Sequence, residues 1–309
     1  HPIAEITEKF TKIYNADMAA LGVALPDMQP RATEYIADMV AAIGKLITKG
    51  NAYEVEGHVL FHVPSFPIYG CLSRRNPEDQ LAGSRIEVSS IKRDPADFVL
   101  WKPSIEGHPG WDSPWSFGRP GWHIECSVMT EKNLGLPFDI HAGGMDLTFP
   151  HHENEIAQSC AGIDVKDNPK AFAGYWIHNG FVTIDGEKMS KSLGNILLVH
   201  AWLKKYPGEV LRLTLLASHY RQPLNWTEEA VLQAKSILDR LYRTLKMLSD
   251  IHIKKEELPL PPQPLMEALA DDLNTAKAIT YLMTLTSNVP TKDDLQACKD
   301  LKGKLLASG

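Results

Sequence analysis

The chain is poor in cysteine, has no long apolar run and carries no surplus of positive charge. Its four cysteines, Cys71, Cys126, Cys160 and Cys298, are scattered without framework spacing. That excludes a small disulfide scaffold and favours a reduced compartment, here taken as the cytoplasm. No stretch is apolar for long enough to span a membrane and no signal peptide is evident, so no membrane partner is expected. Lys and Arg number 32 against 38 Asp and Glu. A net charge of −6 argues against a protein that coats nucleic acid nonspecifically, although it leaves room for a local basic face. Internal repeats and low-complexity tracts are also missing. The first residues are His1-Pro2, without an initiator Met and directly before a helical pattern. The chain is therefore read as a segment whose upstream part is absent.

What is present suits a globular protein of 309 residues, enough for two domains or one large domain with an appendage. Ile3, Ile6, Phe10 and Ile13 predict an amphipathic helix ending near Gly22, and a second helix covers about 31–49 before Gly50. AYEV and HVLFHV flank Glu56-Gly57, a plausible hairpin. From 64 to 118 the text is rich in Pro, Gly, Ser and Trp around a strand-like core at Phe98 to Trp101, which reads as an inserted, partly irregular subdomain. AGYWIHNGFVTIDGEK reads as strand, turn, strand, with Asp185-Gly186 as turn chemistry. Further on, Val231, Ala234, Leu238, Leu241, Leu245 and Leu248 form one helical stripe. A connector over 253–264 then leads to a helix or helix pair around DDLNTAKAITYLMTL. Arg240, Arg243 and Lys246 make a modest basic stripe of the kind that solvated helix faces also show.

The centre of the chain is 120–159, PGWHIECSVMTEKNLGLPFDIHAGGMDLTFPHHENEIAQS. By period it is helix, strand, glycine loop, helix, the last starting around Thr148 to Pro150 with a capping hydroxyl. Trp122 and Cys126 share one helical face, and so do His151 and Glu155. A thiol, an imidazole and a carboxylate able to converge from two neighbouring helices suggest a zinc site. Spacing alone leaves the alternative of a buried cysteine and a surface helix pair. Lys188-Met189-Ser190-Lys191-Ser192, followed by Gly194, puts two ammonium groups and two hydroxyls on one loop, which suits a polyphosphate. A solvated charged loop is the competing reading.

KMSKS also matches, letter for letter, the second signature of class I aminoacyl-tRNA synthetases. GWHIECS, GGMDLTFPHHENEIAQS, KRDPADFVLWK (Lys92 to Lys102) and DDLNTAKA resemble the cysteinyl-tRNA synthetase family in particular. The resemblance covers the chain from about Phe10 to the last helices. It implies an α/β fold: a Rossmann-type class I catalytic domain, second half plus connective insertion, followed by an all-α helical bundle domain. In these terms 1–30 ends the first Rossmann half, 31–118 is the insertion and 119–170 the second half with the zinc site. Residues 171–226 form a stem-contact region with KMSKS, and 227–309 the helical anticodon-binding domain.

The resemblance further implies a monomer that activates L-cysteine with ATP and Mg2+ and transfers it to tRNA(Cys), using one zinc ion per chain. Three of its ligands would be Cys126, His151 and Glu155. The family's ATP-binding HIGH motif and first zinc cysteine lie upstream of the residues present. Cys71, in YGCLSRR, does not match that ligand stretch and is read as structural. Zinc would select the substrate's thiolate over serine's hydroxyl, a larger discrimination than the roughly 1–3 kcal/mol of one methylene-sized difference. Trp122 either walls the cysteine pocket or packs in the core, and His141 either borders that pocket or is structural. Gly143, Gly144 and Asp146 follow the end of the strand, where open α/β sheets place ligands. By resemblance, Gly144 backbone and the Asp146 carboxylate meet the ATP ribose, with helix entry as the alternative for Asp146. Lys188 and Lys191 would stabilise the α-phosphate and leaving pyrophosphate, Lys191 being the family's ATP-contacting lysine. Rival readings are the related ligase joining cysteine to a glucosaminyl-inositol in mycothiol synthesis, and a noncatalytic truncated paralogue.

Overall fold

The computed structural model describes residues 3–74, 90–189 and 194–308. The chain divides into two compact units, 1–27 with 179–309, and 28–178. Helix α1 (Ile3–Ala20) opens the first unit. Its period makes a helix as read, but most of the stripe is uncovered: Ile3, Ile6 and Phe10 are exposed, Ile13 is half-buried and no residue of the helix is fully buried. Near its end Met18 packs against the core cluster containing Leu21.

The second unit begins with α2 (Ile36–Thr48). It starts later than its sequence pattern suggests because 32–34 form a separate 3-10 turn. Met39, Ile43 and Leu46, at helical spacing, are its buried face. Strands β1 (Ala52–Val55) and β2 (His58–Phe61) pair antiparallel. Glu56 and Gly57 both take positive φ, 49° and 73°, the twist a two-residue hairpin requires. Strand β3 (Phe98–Pro103) pairs with β2, and β4 (Gly118–Pro120) pairs with β3, giving a four-stranded sheet in the order β1-β2-β3-β4. The segment 64–118 thus supplies β3, its expected strand-like core, and only the first residue of β4. The strand signal of β4 is faint because it is three residues long and ends on a proline, a residue tolerated at a sheet edge. Within KRDPADFVLWK, buried Asp97 accepts hydrogen bonds from Val63 N at 2.9 Å, Asp94 N at 3.1 Å and the Tyr53 hydroxyl at 2.7 Å. That carboxylate pins the entry to β3.

Next comes α3 (Trp122–Leu134), closed by Gly135 at φ 79°. Strand β5 (Phe138–Gly144), helix α4 (Glu153–Gly162) and strand β6 (Ala173–Asn179) follow, with β5 and β6 forming a two-stranded sheet. Leu100 and Trp101 of β3, Phe61 of β2, Ile124 and Val128 of α3 and Ile156 of α4 share one core. The helix expected from Thr148 to Pro150 begins only at Glu153. Residues 148–152 form a wide turn in which Phe149 is extended, φ −140° and ψ 133°. Pro150 is the cause, since a residue before proline is driven out of the helical region. Thr148 caps nothing; its hydroxyl is buried without a hydrogen-bond partner.

The first unit resumes with β7 (Val182–Ile184) and β8 (Glu187–Lys188), a hairpin turning on Asp185 and Gly186. After them come α5 (Val199–Trp202), α6 (Gly208–Leu216) and β9 (Leu224–Trp226), which pairs parallel with β7. The remainder is helical: α7 (Glu228–Met247), α8 (Gln263–Ala270), α9 (Thr275–Leu285) and α10 (Leu295–Leu306). The α7 stripe feeds two cores, Val231 and Ala234 joining Leu21 and Trp226, and Leu241 and Leu245 packing against the cluster of Leu248, Cys298 and Leu301. The sequence DDLN is the turn between α8 and α9, where the Asn274 side chain caps α9 by accepting from Lys277 N at 3.0 Å. Arg240 donates to the Ser287 hydroxyl. Among the described residues no helix is long and apolar enough to cross a membrane.

Candidate metal centre

All of the converging donors lie in the 28–178 unit. Helix α3 carries Trp122, His123 and Cys126. The wide turn delivers His151 and His152, and the first turn of α4 delivers Glu155. Helical spacing survives across the turn, with His151 Nε2 2.6 Å from Glu155 Oε1. One ligand atom from each of Cys126, His151 and Glu155 lies within 4.8 Å of the others. Inside β5, His141 brings its Nε2 to 3.1 Å from Glu155 Oε2.

Glu155 is completely buried, and neither carboxylate oxygen receives a well-aligned hydrogen bond although two imidazoles stand at ion-pair distance. Burial alone would raise its carboxyl, but His141 and His151 outweigh that and hold it down to about 2. Cys126 goes the other way: burial, then Glu155 and Glu125, push its thiol up to about 12. A dry carboxylate beside a thiol that burial and anionic neighbours keep protonated is a site suited to a cation. Sulfur, imidazole and carboxylate are zinc donors, so these residues fit a zinc ion.

Three further histidines belong to the assembly. His123 Nδ1 is 2.7 Å from His151 Nδ1, which turns the other His151 nitrogen toward Glu155. His152 Nδ1 is 2.8 Å from His178 Nε2. Burial holds the His123 and His152 imidazoles down at about 4. The His151-His152 doublet was the available signal. Helical periodicity relates residues on one face and is blind to partners on another element, so His123 and His178 were missed.

Trp122 is 60 % exposed, with its ring stacked on His123 and 4.5 Å from that of His151. It covers the donor cluster rather than packing in the core. His141 sits against Trp176 and Phe172, ring centroids 4.8 and 5.6 Å away. At the end of β5, the bare Cα of Gly144 lies where a Cβ would collide with Asp146 Oδ1. Asp146 itself is exposed. Cys71 is outside the donor set, its thiol facing Glu153 Oε1 at 3.6 Å. Lys191 and the side chain of Lys188 lie outside the described residues.

The family model of the tRNA synthetases class I (C) catalytic domain matches residues 1–236. The chain is 56 % identical over 308 residues to a cysteine–tRNA ligase of Parvibaculum lavamentivorans, covering 99 % of this chain and 64 % of the relative. It is 54 % identical over 309 residues to a cysteine–tRNA ligase of Rhodospirillum rubrum, covering 99 % and 65 %. The chain thus spans somewhat less than two thirds of the length of these curated relatives. Mycobacterium tuberculosis methionyl-tRNA synthetase, solved with methionyl-adenylate, superposes with a TM-score of 0.63 over 99 % of this chain and 76 % of its own. At 14 % identity that likeness speaks for the fold alone.

Proposed function

Given that the chain belongs to the class I (C) tRNA synthetase catalytic family, we propose that it is the cysteine-selecting part of a cysteine–tRNA ligase. Its protein activates L-cysteine with ATP and Mg2+ and transfers the amino acid to tRNA(Cys). The observation carrying this reading is the convergence of Cys126, His151 and Glu155 on one buried point. The relatives named above support the tRNA assignment over an amino-sugar ligase. We take the protein as a cytoplasmic monomer with one zinc ion per chain, divided as 1–30, 31–118, 119–170, 171–226 and 227–309 in the roles given above.

When bound, zinc supplies a soft acceptor that takes a thiol as thiolate and leaves a hydroxyl largely unbound. Cys126, His151 and Glu155 hold it, and His123 keeps His151 turned the right way. Trp122 and His141 wall the cysteine side chain on either flank. Gly144 backbone and Asp146 receive the ATP ribose, beside which no side chain at Gly144 obstructs approach. Lys188 and Lys191 neutralise charge on the α-phosphate and the departing pyrophosphate as the cysteine carboxylate attacks in line.

The test uses the full-length protein. Cysteine-dependent ATP–pyrophosphate exchange and cysteinylation of tRNA(Cys) should both be present, with serine rejected. Lys191→Ala should lower exchange by about 10²-fold or more with zinc content unchanged, whereas Cys126→Ala should deplete zinc. An unaltered exchange rate in Lys191→Ala removes that lysine's role, and ligation of an amino sugar in place of tRNA overturns the assignment.

A further inference from the structure

Asp272, in the turn between α8 and α9, takes no part in the chemistry above, yet the backbone there is held in costly geometry. Asp272 and Leu273 both have φ of 53°, a region that few residues other than glycine enter and bulky ones least of all. Two such residues in succession persist where their surroundings over-determine them. The surroundings here are the segment between α6 and β9. Asp272 Oδ1 accepts from the Tyr220 hydroxyl at 2.7 Å and from Arg221 Nη2 at 3.2 Å, while Oδ2 accepts from Arg221 Nε. Next to them the Thr275 hydroxyl donates to Leu216 O at 2.7 Å, at the end of α6. An exposed ion pair alone is worth little. This one is bidentate, has a third donor and restrains a strained turn, so it works as a clamp.

What the clamp grips lies against the root of the lysine loop. Tyr220 O accepts from Gly180 N at 2.7 Å, and a Cβ on Gly180 would collide with Gln222 O, so the two backbones touch there. Gly180 leads into β7, whose Thr183 stands opposite Lys188 of β8. From β9, Asn225 accepts from Gly186 N at 2.8 Å and from the Thr183 hydroxyl at 3.2 Å. Three links thus join the α8–α9 turn to Lys188: Asp272 to Tyr220 and Arg221, Tyr220 to Gly180, and the pairing of β7 with β8. The geometry points to Asp272 as a positioning residue, which fixes the β7-β8 hairpin through Tyr220 and Arg221 and so aims Lys188 and Lys191. Its carboxylate touches no substrate. The kinetic consequence rests on the proposed adenylation, whereas the restraint on the hairpin does not.

Asp272→Asn in the full-length protein tests both halves, because asparagine tolerates the same left-handed backbone but cannot form the ion pair. Hydrogen–deuterium exchange at the amides of 180–188 should quicken by about two- to fivefold, the range that an ion pair this exposed supplies, with 52–61 of the other unit unchanged. ATP–pyrophosphate exchange should show kcat lowered by about the same factor, at constant KM for cysteine and constant zinc content. In a Lys191→Ala background Asp272→Asn should slow exchange no further, since both changes act through one loop. Amides of 180–188 that keep their wild-type rates, or loosening confined to 263–285, would overturn the restraint. Rate losses that multiply in the double variant would overturn the route through the lysines. If Lys191→Ala alone leaves exchange unaltered, the proposed reaction fails at that lysine and takes the aiming role with it, while the amide rates still decide the restraint. Should Asp272→Asn fail to fold by circular dichroism, Arg221→Lys, which keeps the charge and loses the fork, is read by the same outcomes.

Discussion

At Cys126 burial, with the charge of the neighbours, sets what metal uptake must do. With its thiol pushed up to about 12 and the Glu155 carboxyl held at about 2, the metal-free pair at neutral pH is a thiol beside a carboxylate. Coordination requires thiolate. Adding Zn2+ to stripped protein near pH 7 should therefore release about one proton per chain from this thiol, measurable by a pH indicator in weak buffer. Glu155 contributes none. No release, with zinc bound, would mean that sulfur is not a ligand. The proton count was not readable from spacing; of the three candidate donors, i,i+4 geometry joins only His151 to Glu155 within one strip of chain. The link to Cys126 needed two helices to meet, which the family resemblance implied and which periodicity alone left open.

Among the elements, the start of α3 is tightly constrained. Gly121, immediately before Trp122, has φ −68° and ψ 155°, values any residue can adopt. Yet a Cβ there would run into the Val99 carbonyl of β3, and Gly121 N already donates to Leu100 O at 2.8 Å. Crowding rather than backbone freedom requires glycine. Gly121→Ala should cost about 3 kcal/mol, read as a lower denaturant midpoint with an unchanged slope. Elements defined by local chemistry were legible, including the Glu56-Gly57 and Asp185-Gly186 turns, α3 and the α7 stripe. Those defined by distant partners were not. Strand β4 exists because β3 offers it an edge, and the wide turn before α4 depends on what Pro150 does to Phe149, which overrode the capping signal at Thr148.

For the whole chain, burial separates apolar residues that look alike in sequence. Phe10 on α1 is 60 % exposed, while Phe61 on β2 is fully buried. In the 309-residue chain, Phe10→Ala should change unfolding free energy by no more than about 0.5 kcal/mol. Phe61→Ala should cost about 3–5 kcal/mol. Chemical denaturation of both variants checks the contrast, and comparable losses would show that the α1 face is covered. An amphipathic period announces a face to be packed and cannot say what packs it, which is why α1 was predicted as a helix without its surroundings.

The shared core of Leu100, Trp101, Ile124, Val128 and Ile156 ties the antiparallel sheet to both helices that carry the candidate metal donors. These parts have no separate interiors to lose. A bound ion would then act as a built-in thermometer for this half of the chain: during a heating ramp, a coloured chelator should change at the temperature where the sheet melts.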